Sequence, residues 1–334
     1  MLNIPPMPTA HDLQPDVREE DRVLQFREDV LKGLKSGTKR LSSKYFYDAK
    51  GDALFQQIMH CPEYYVTRCE LEIFRGQAAD LVRAITMKDK QPFDLIELGA
   101  GDGIKSRHLL RALQEQPCEF TYIPVDISGN ILSYLEESLA DLNGLNILCL
   151  EGEYFDMLAE ATKISANRKV VLFLGANIGN MPVYEAEKFC DQLRNALQPG
   201  DIVLMGFDLK KNPQTILNAY NDEAGITRDF NLNLLTRINR ELDGNFDLDT
   251  FTHYQTYDPE TGACKSYLVS STEQTVTVAG TPISFQEGEW IFTEVSQKYS
   301  MKEIEVLAAN SGFSMDTTFF DSKRWFVDVI WIAR

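Results

Sequence analysis

Between residues 93 and 207 short apolar runs alternate with amphipathic stretches, and this rhythm constrains the fold more than any other feature of the chain. Runs at 93–98, 120–125, 145–150, 169–174 and 201–207 read as strands. The segments between them are long enough for crossover helices, and 105–114 and 183–197 carry helical periodicity. Together they predict a parallel sheet covered by helices, an α/β arrangement.

After Asp208 the rhythm changes. A helical region runs through Leu242, with Phe230, Leu234, Leu235, Ile238 and Leu242 on one apolar face. Strand-like runs follow at 251–257, 266–270, 274–279 and 282–285, as expected for an inserted α+β unit. A helix at 301–309 and an antiparallel hairpin of 316–320 with 325–332 would return the chain to the first sheet. The opening 40 residues, polar and punctuated by proline before a helical 21–34, resemble an arm or lid. With 334 residues, against roughly 100–200 for a typical domain, one large domain with an insertion or two domains are expected. The expected boundaries are an arm and lid over 1–67, a cofactor-binding domain over 68–208 with 297–334, and a substrate-binding domain over 209–296.

Composition removes several classes. No apolar run approaches the roughly 20 residues of a bilayer span. The start, Met1 to Pro8, lacks the pattern of a secretory signal, so a cytoplasmic location is expected. Cys61, Cys69, Cys118, Cys149, Cys190 and Cys264 show no metal-ligand spacing, nor do His11, His60, His108 and His253, so no metal and no disulfide framework is indicated. A net charge of −17 without a basic, aromatic-interleaved cluster argues against nucleic acid as a partner. The partner expected is a small molecule, and the sequence does not set the oligomeric state.

The first strand runs into Gly99-Ala100-Gly101-Asp102-Gly103, with a helix opening near Lys105. Glycines allow a tight turn and close backbone approach, and ligands of open α/β sheets bind at the carboxyl ends of strands. The second strand ends in Val125-Asp126, which places a carboxylate where ribose hydroxyls would donate to it. A dinucleotide fingerprint would need a third glycine where Ile104 stands, which favours S-adenosylmethionine over NAD. Candidate cofactor contacts are therefore Glu97, Gly99, Gly101, Lys105, Asp126, Glu153, Tyr154 and Gly175. The fourth strand ends in Gly175-Ala176-Asn177-Ile178-Gly179-Asn180, where small residues make room and asparagine amides offer neutral donors and acceptors. Upstream, Tyr45-Phe46-Tyr47-Asp48 and Pro62-Glu63-Tyr64-Tyr65-Val66-Thr67-Arg68 concentrate aromatics in a region without strong strand or helix signals, consistent with a lid.

These segments carry a resemblance. Tyr47-Asp48, Pro62 to Arg68, Glu97-Leu98-Gly99, Val125-Asp126-Ile127-Ser128, Gly175 to Asn180, Gly206-Phe207-Asp208-Leu209-Lys210-Lys211, Ala219-Tyr220-Asn221-Asp222, Phe230-Asn231, Asn239-Arg240-Glu241-Leu242 and Thr293-Glu294-Val295-Ser296-Gln297-Lys298-Tyr299 occur in order. The set resembles the histidine-specific α-N-methyltransferases of ergothioneine biosynthesis over almost the whole chain after residue 40. The resemblance implies a class I methyltransferase, Rossmann-like sheet with an inserted substrate-binding domain. It also implies that Asn180 and Tyr220 hold the substrate carboxylate, and that Tyr47 and Tyr64 line the amine and side-chain pocket. Glu294 and Ser296 would bind the imidazole; on the residues alone they read as the polar face of an alternating strand. One position departs: Ser266 stands where the family's histidine enzymes usually have methionine, which leaves the side-chain pocket more polar.

The reading that follows is methyl transfer from S-adenosylmethionine to the α-amine of an amino acid, histidine first, with repeated turnover giving a trimethylated product. The task of the protein is then to orient the amine and exclude water, with Tyr47 as the orienting residue. Ser266 motivates a second reading, methylation of another amino acid or small amine. A non-catalytic module that binds S-adenosylmethionine is the third.

Overall fold

The computed structural model describes residues 15–86 and 91–334, with backbone alone for 15–20. The reading of Met1 to Pro8 and of His11 falls outside the described residues. The described residues fall into two compact units, one within 1–57, 223–255 and 265–294, the other within 58–222, 256–264 and 295–334.

The second unit holds the large sheet. Its strands are β1 (Phe93–Leu98), β2 (Phe120–Asp126), β3 (Leu150–Glu151), β4 (Arg168–Phe173) and β5 (Ile202–Asp208). Strands β6 (Phe251–Tyr257), β7 (Ala263–Ser270), β8 (Gln274–Val278), β9 (Thr281–Phe285) and β10 (Trp290–Gln297) follow, and β11 (Phe313–Phe320) and β12 (Phe326–Ala333) close the chain. The order across the large sheet is β11-β12-β5-β4-β1-β2-β3. β1 pairs parallel with β2 and β4, and β4 with β5, whereas β12 runs antiparallel to both β5 and β11. The order reverses at β1, whose neighbours β2 and β4 lie on opposite sides, so the carboxyl end of β1 borders the crevice where such sheets bind ligands.

Side chains alternate across this sheet. Phe93 and Leu95 join the core on one face with Leu109, Leu110 and Leu113, while Ile96 and Leu98 join the other with Leu158, Phe189 and Leu193. Burial on both faces explains why these strands read as continuous apolar runs. The expected third strand, 145–150, shortens to Leu150–Glu151 plus an isolated bridge of Tyr122 with Ile147. It is an edge with a single neighbour, and Leu148 is exposed. In β11 the register shifts between Met315 and Thr317, so Asp316 sits at a bulge rather than at the start of a regular strand.

Two helical stretches differ from expectation. Residues 62–86, read as loop at their start, contain the helices Val66–Gly76 and Ala78–Thr86, whose Ile73, Phe74, Leu81 and Ile85 are buried. The region 209–242 is not one helix but two, Pro213–Ala219 and Ile226–Glu241. Asn212 caps the first, accepting from the N–H groups of Gln214 and Thr215 at 2.9 and 3.3 Å, with Pro213 at its first turn.

β10, β7 and β6 lie side by side, and in the first unit β8 and β9 form a hairpin. β10 extends the alternating strand read around Glu294 and Ser296 back to Trp290; Trp290 is exposed while Ile291 and Thr293 are buried. Phe246, Phe251 and Phe285 pack edge to face there.

Candidate active site

The glycine loop hooks back onto the second strand. The N–H groups of Gly99 and Ala100 donate to the Val125 carbonyl at 2.8 and 3.2 Å. Gly99 has φ +73°, and a Cβ there would lie 2.8 Å from the Tyr154 hydroxyl, so glycine is required twice over. The Asp126 carboxylate ties the loop down, accepting from Gly101 N–H at 3.2 Å and Ser128 N–H at 3.1 Å. Burial pushes the Asp126 carboxyl above its usual value, and the Ser128 and Gly101 N–H groups oppose this. A Cβ on Gly101 would meet nothing within 4 Å, so this stretch presents bare backbone to open space. That is the surface against which a nucleoside can lie, with the Asp126 lone pairs at its rim. The residues fit S-adenosylmethionine.

Tyr154, the first residue of the helix Tyr154–Ile164, packs edge-on against Phe173 at 5.7 Å. Burial raises its phenol, and Asp126 and Glu153 add to the effect, which brings these three expected residues together. A Cβ on Gly175 would fall 3.3 Å from Lys105 Nζ and 3.7 Å from Asn177, so the ends of β1 and β4 converge as well.

Two expected contacts are occupied inside the protein. The Glu97 carboxylate is buried and accepts from Ser106 Oγ at 2.6 Å and Tyr122 OH at 2.5 Å; burial pushes it up to about 7. It braces the loop from beneath. Lys105 forms an ion pair with the buried Glu70, whose carboxylate also accepts from Gly175 N–H at 2.7 and 3.0 Å. Glu70 thus fixes the end of β4, a role the sequence reading missed. Asp328 lies beside it, its carboxyl raised far above normal by burial and by Glu70.

The second unit also gathers Asn180, Tyr220, Ser296 and Tyr64. Asn180 ends the 3-10 turn Asn177–Asn180 and is exposed. Its neighbour Gly179 lies so close to the strand carrying Ser296 that a Cβ would be 2.8 Å from the Gln297 carbonyl oxygen. Tyr220 caps the Pro213–Ala219 helix, hydrogen bonds Ser296 Oγ at 2.6 Å, and meets Tyr64 edge-on at 6.2 Å.

Beneath this pair lies a charged cluster that sequence reasoning did not use. Lys298, fully buried, donates to Tyr220 OH, Ser296 Oγ and Asp208 Oδ2, each at 2.7 Å. Lys211 also pairs with Asp208, and Tyr65 OH donates to Asp208 at 2.9 Å. Burial works against the Asp208 carboxylate, yet Lys298 and Lys211 hold it below its usual value. Burial lowers the Lys211 ammonium and raises the Tyr65 phenol well above normal. The signal was available: Asp208 ends a strand whose other six residues are apolar or glycine.

The first unit carries Tyr47, Ser266 and Glu294. Tyr47 is exposed and edge-on to Phe55 and Phe230 at 5.7 and 5.8 Å. Its neighbour Asp48 anchors the segment, accepting from Gly51 N–H and Asn233 Nδ2 at 2.8 Å and from Arg240 at 2.7 Å. Burial opposes that carboxylate, but Arg240, Gly51 and Asn233 keep it below its usual value. Ser266 is buried, its carbonyl accepting from Thr293 Oγ1 at 3.1 Å, and Glu294 is half-buried on β10.

The sheet order, with its antiparallel β12, and the glycine loop facing Asp126 across the switch point define a class I S-adenosylmethionine-dependent methyltransferase. Comparison with known proteins narrows this. A family model described as histidine-specific methyltransferase, SAM-dependent, matches residues 26–333. The histidine N-alpha-methyltransferase of Mycolicibacterium smegmatis is 36% identical over 290 residues, covering 86% of this chain and 88% of that protein. The enzyme of the same description from Mycobacterium tuberculosis is 34% identical over 292 residues, covering 86% and 89%. The N-methyltransferase benX of Aspergillus terreus is 27% identical over 324 residues, covering 92% and 88%. The chain belongs to the histidine-specific, S-adenosylmethionine-dependent methyltransferase family. It is a methyltransferase that uses S-adenosylmethionine, and the non-catalytic reading is set aside.

Proposed function

We propose that the enzyme methylates the α-amine of L-histidine, repeatedly, to the trimethylated product. The observation that carries this reading is the similarity to two histidine N-alpha-methyltransferases over most of both chains. Bound S-adenosylmethionine supplies a methyl group activated by the positive sulfur. Gly99, Gly101, Asp126, Glu153, Tyr154 and Gly175 would hold it, with Glu97 and Lys105 bracing that cradle.

The protein's own groups have the task of presenting a neutral amine in line with that methyl and keeping water away. Asn180 and Tyr220 hold the substrate carboxylate in this reading, and Tyr47 orients the amine, its ring face favouring the methylated ammonium. Tyr64 has the role of lining the side-chain pocket, and Ser266 is the position where the family's histidine enzymes usually have methionine. Glu294 accepts from an imidazole N–H, and Ser296 assists it. Functionally, 68–208 with 297–334 would serve the cofactor, 209–296 the substrate, and 1–67 would act as arm and lid. We place the activity in the cytoplasm; among the described residues no helix is long and apolar enough to cross a membrane.

The test is incubation of the purified protein with labelled S-adenosylmethionine and a panel of free amino acids, followed by mass analysis of products. Transfer to histidine ahead of the others is expected. Transfer to arginine or tryptophan but not histidine would assign the pocket around Ser266 to another side chain.

A further inference from the structure

Lys298 has no role in the reading above, yet it is fully buried at the end of β10 and all three of its ammonium hydrogens have acceptors. One acceptor is the Asp208 carboxylate and the other two are the Tyr220 and Ser296 hydroxyls, all at 2.7 Å. The same carboxylate also pairs with Lys211. The Lys298 ammonium is thus a buried charge held in place by its acceptors.

The hydroxyl pair transmits that charge. Tyr220 OH and Ser296 Oγ both accept from Lys298 and share one hydrogen bond of 2.6 Å. An ammonium has no lone pair, so with Ser296 donating to Tyr220 the phenol proton is the one directed out of the triangle, and Ser296 Oγ keeps a lone pair for an imidazole N–H. A hydroxyl whose oxygen already accepts from a cation is a polarised donor, matched to an anion rather than to a neutral carbonyl. We propose that Lys298 is a positioning residue that, directly and through Ser296, makes the Tyr220 hydroxyl selective for a free carboxylate, so that the enzyme accepts a free amino acid and rejects its amide or a peptide-linked residue. This rests on Tyr220 holding the substrate carboxylate.

The test compares KM and kcat for histidine and histidinamide in the wild-type enzyme, Lys298→Met and Lys298→Arg, with S-adenosylmethionine affinity measured in each. In Lys298→Met, Asp208 keeps Lys211 and Tyr65 as partners. The histidine KM should rise about tenfold to a hundredfold, the range for losing a hydrogen bond to a charged group, with a smaller change in kcat. The histidinamide KM should move far less, so the preference for the free acid collapses, and Lys298→Arg should restore part of it. Lys298→Gln is the second uncharged variant should methionine there prevent folding. Equal losses on both substrates, or an unchanged preference with normal cofactor binding, overturn the proposal. Absence of histidine turnover in the wild-type enzyme would instead overturn the substrate reading, and the comparison would pass to the accepted amino acid and its amide.

Discussion

Gly179→Ala tests whether Asn180 is held in place by backbone packing. A Cβ at this position would stand 2.8 Å from the Gln297 carbonyl oxygen and 3.4 Å from its nitrogen. Ordinary contact begins at 3.4 Å, so the turn Asn177–Asn180 and the strand bearing Ser296 must separate by about 0.6 Å. Both neighbours are backbone, and neither can swing aside as a side chain would. Overpacking of this kind costs about 1–3 kcal/mol of stability. The catalytic effect should be larger in proportion, because a displacement of ~1 Å at a positioning group costs on the order of a hundredfold in rate. We expect kcat/KM for the amino acid to fall about tenfold to a hundredfold. The cradle at Gly99, Gly101 and Asp126 lies on other elements, so S-adenosylmethionine affinity by calorimetry should change less than about threefold. Initial rates at saturating cofactor and a thermal melt complete the assay. A variant with wild-type KM and kcat would refute the placement of Asn180 in the substrate site, and so would one that loses cofactor and substrate binding in step.

Other perturbations probe separate parts of the site. Gly99→Ala forces a Cβ to 2.8 Å from the Tyr154 hydroxyl at φ +73°, and S-adenosylmethionine should bind at least about tenfold more weakly by calorimetry. Glu97, raised from 4.5 to about 7 in the folded protein, keeps its proton there while the unfolded chain has lost it. Stability should therefore fall as pH rises from 4.5 to about 7, by on the order of 1–3 kcal/mol, and Glu97→Gln should flatten that slope in denaturant titrations. Asp48→Ala removes the acceptor of Gly51, Asn233 and Arg240, so the segment bearing Tyr47 should loosen. Its melting temperature should drop and its kcat fall severalfold with cofactor affinity retained; an unchanged kcat would argue against Tyr47 as the orienting residue.

Much of the fold was legible because the strands of the large sheet are buried on both faces and carry few polar residues. β1, β2, β4 and β5 fall within a residue of their expected bounds. β3 was less legible, since an edge strand has one neighbour to satisfy, and the break at Tyr220 was hidden because Asn221, Asp222 and Gly225 interrupt two helices that share an apolar pattern. Gly99, Asp126 and Tyr154 could be read as a cradle from their place after strands. Asn180, Tyr220 and Ser296 could not, because they lie far apart in sequence and meet through Gly179 and Lys298. Glu70 went unnamed, and Asp208 and Lys298 were named without a role, for a different reason: buried charges act through tertiary partners, and a strand-end aspartate or a lysine after a strand reads as solvated until those partners are known.

The central claim concerns which nitrogen receives the methyl group. Nuclear magnetic resonance of the product made from histidine and carbon-13-methyl S-adenosylmethionine locates each transferred methyl directly. Every label on the α-nitrogen, up to three per molecule, is the expected result; label on an imidazole nitrogen, or none on histidine from protein that binds the cofactor, would contradict the account.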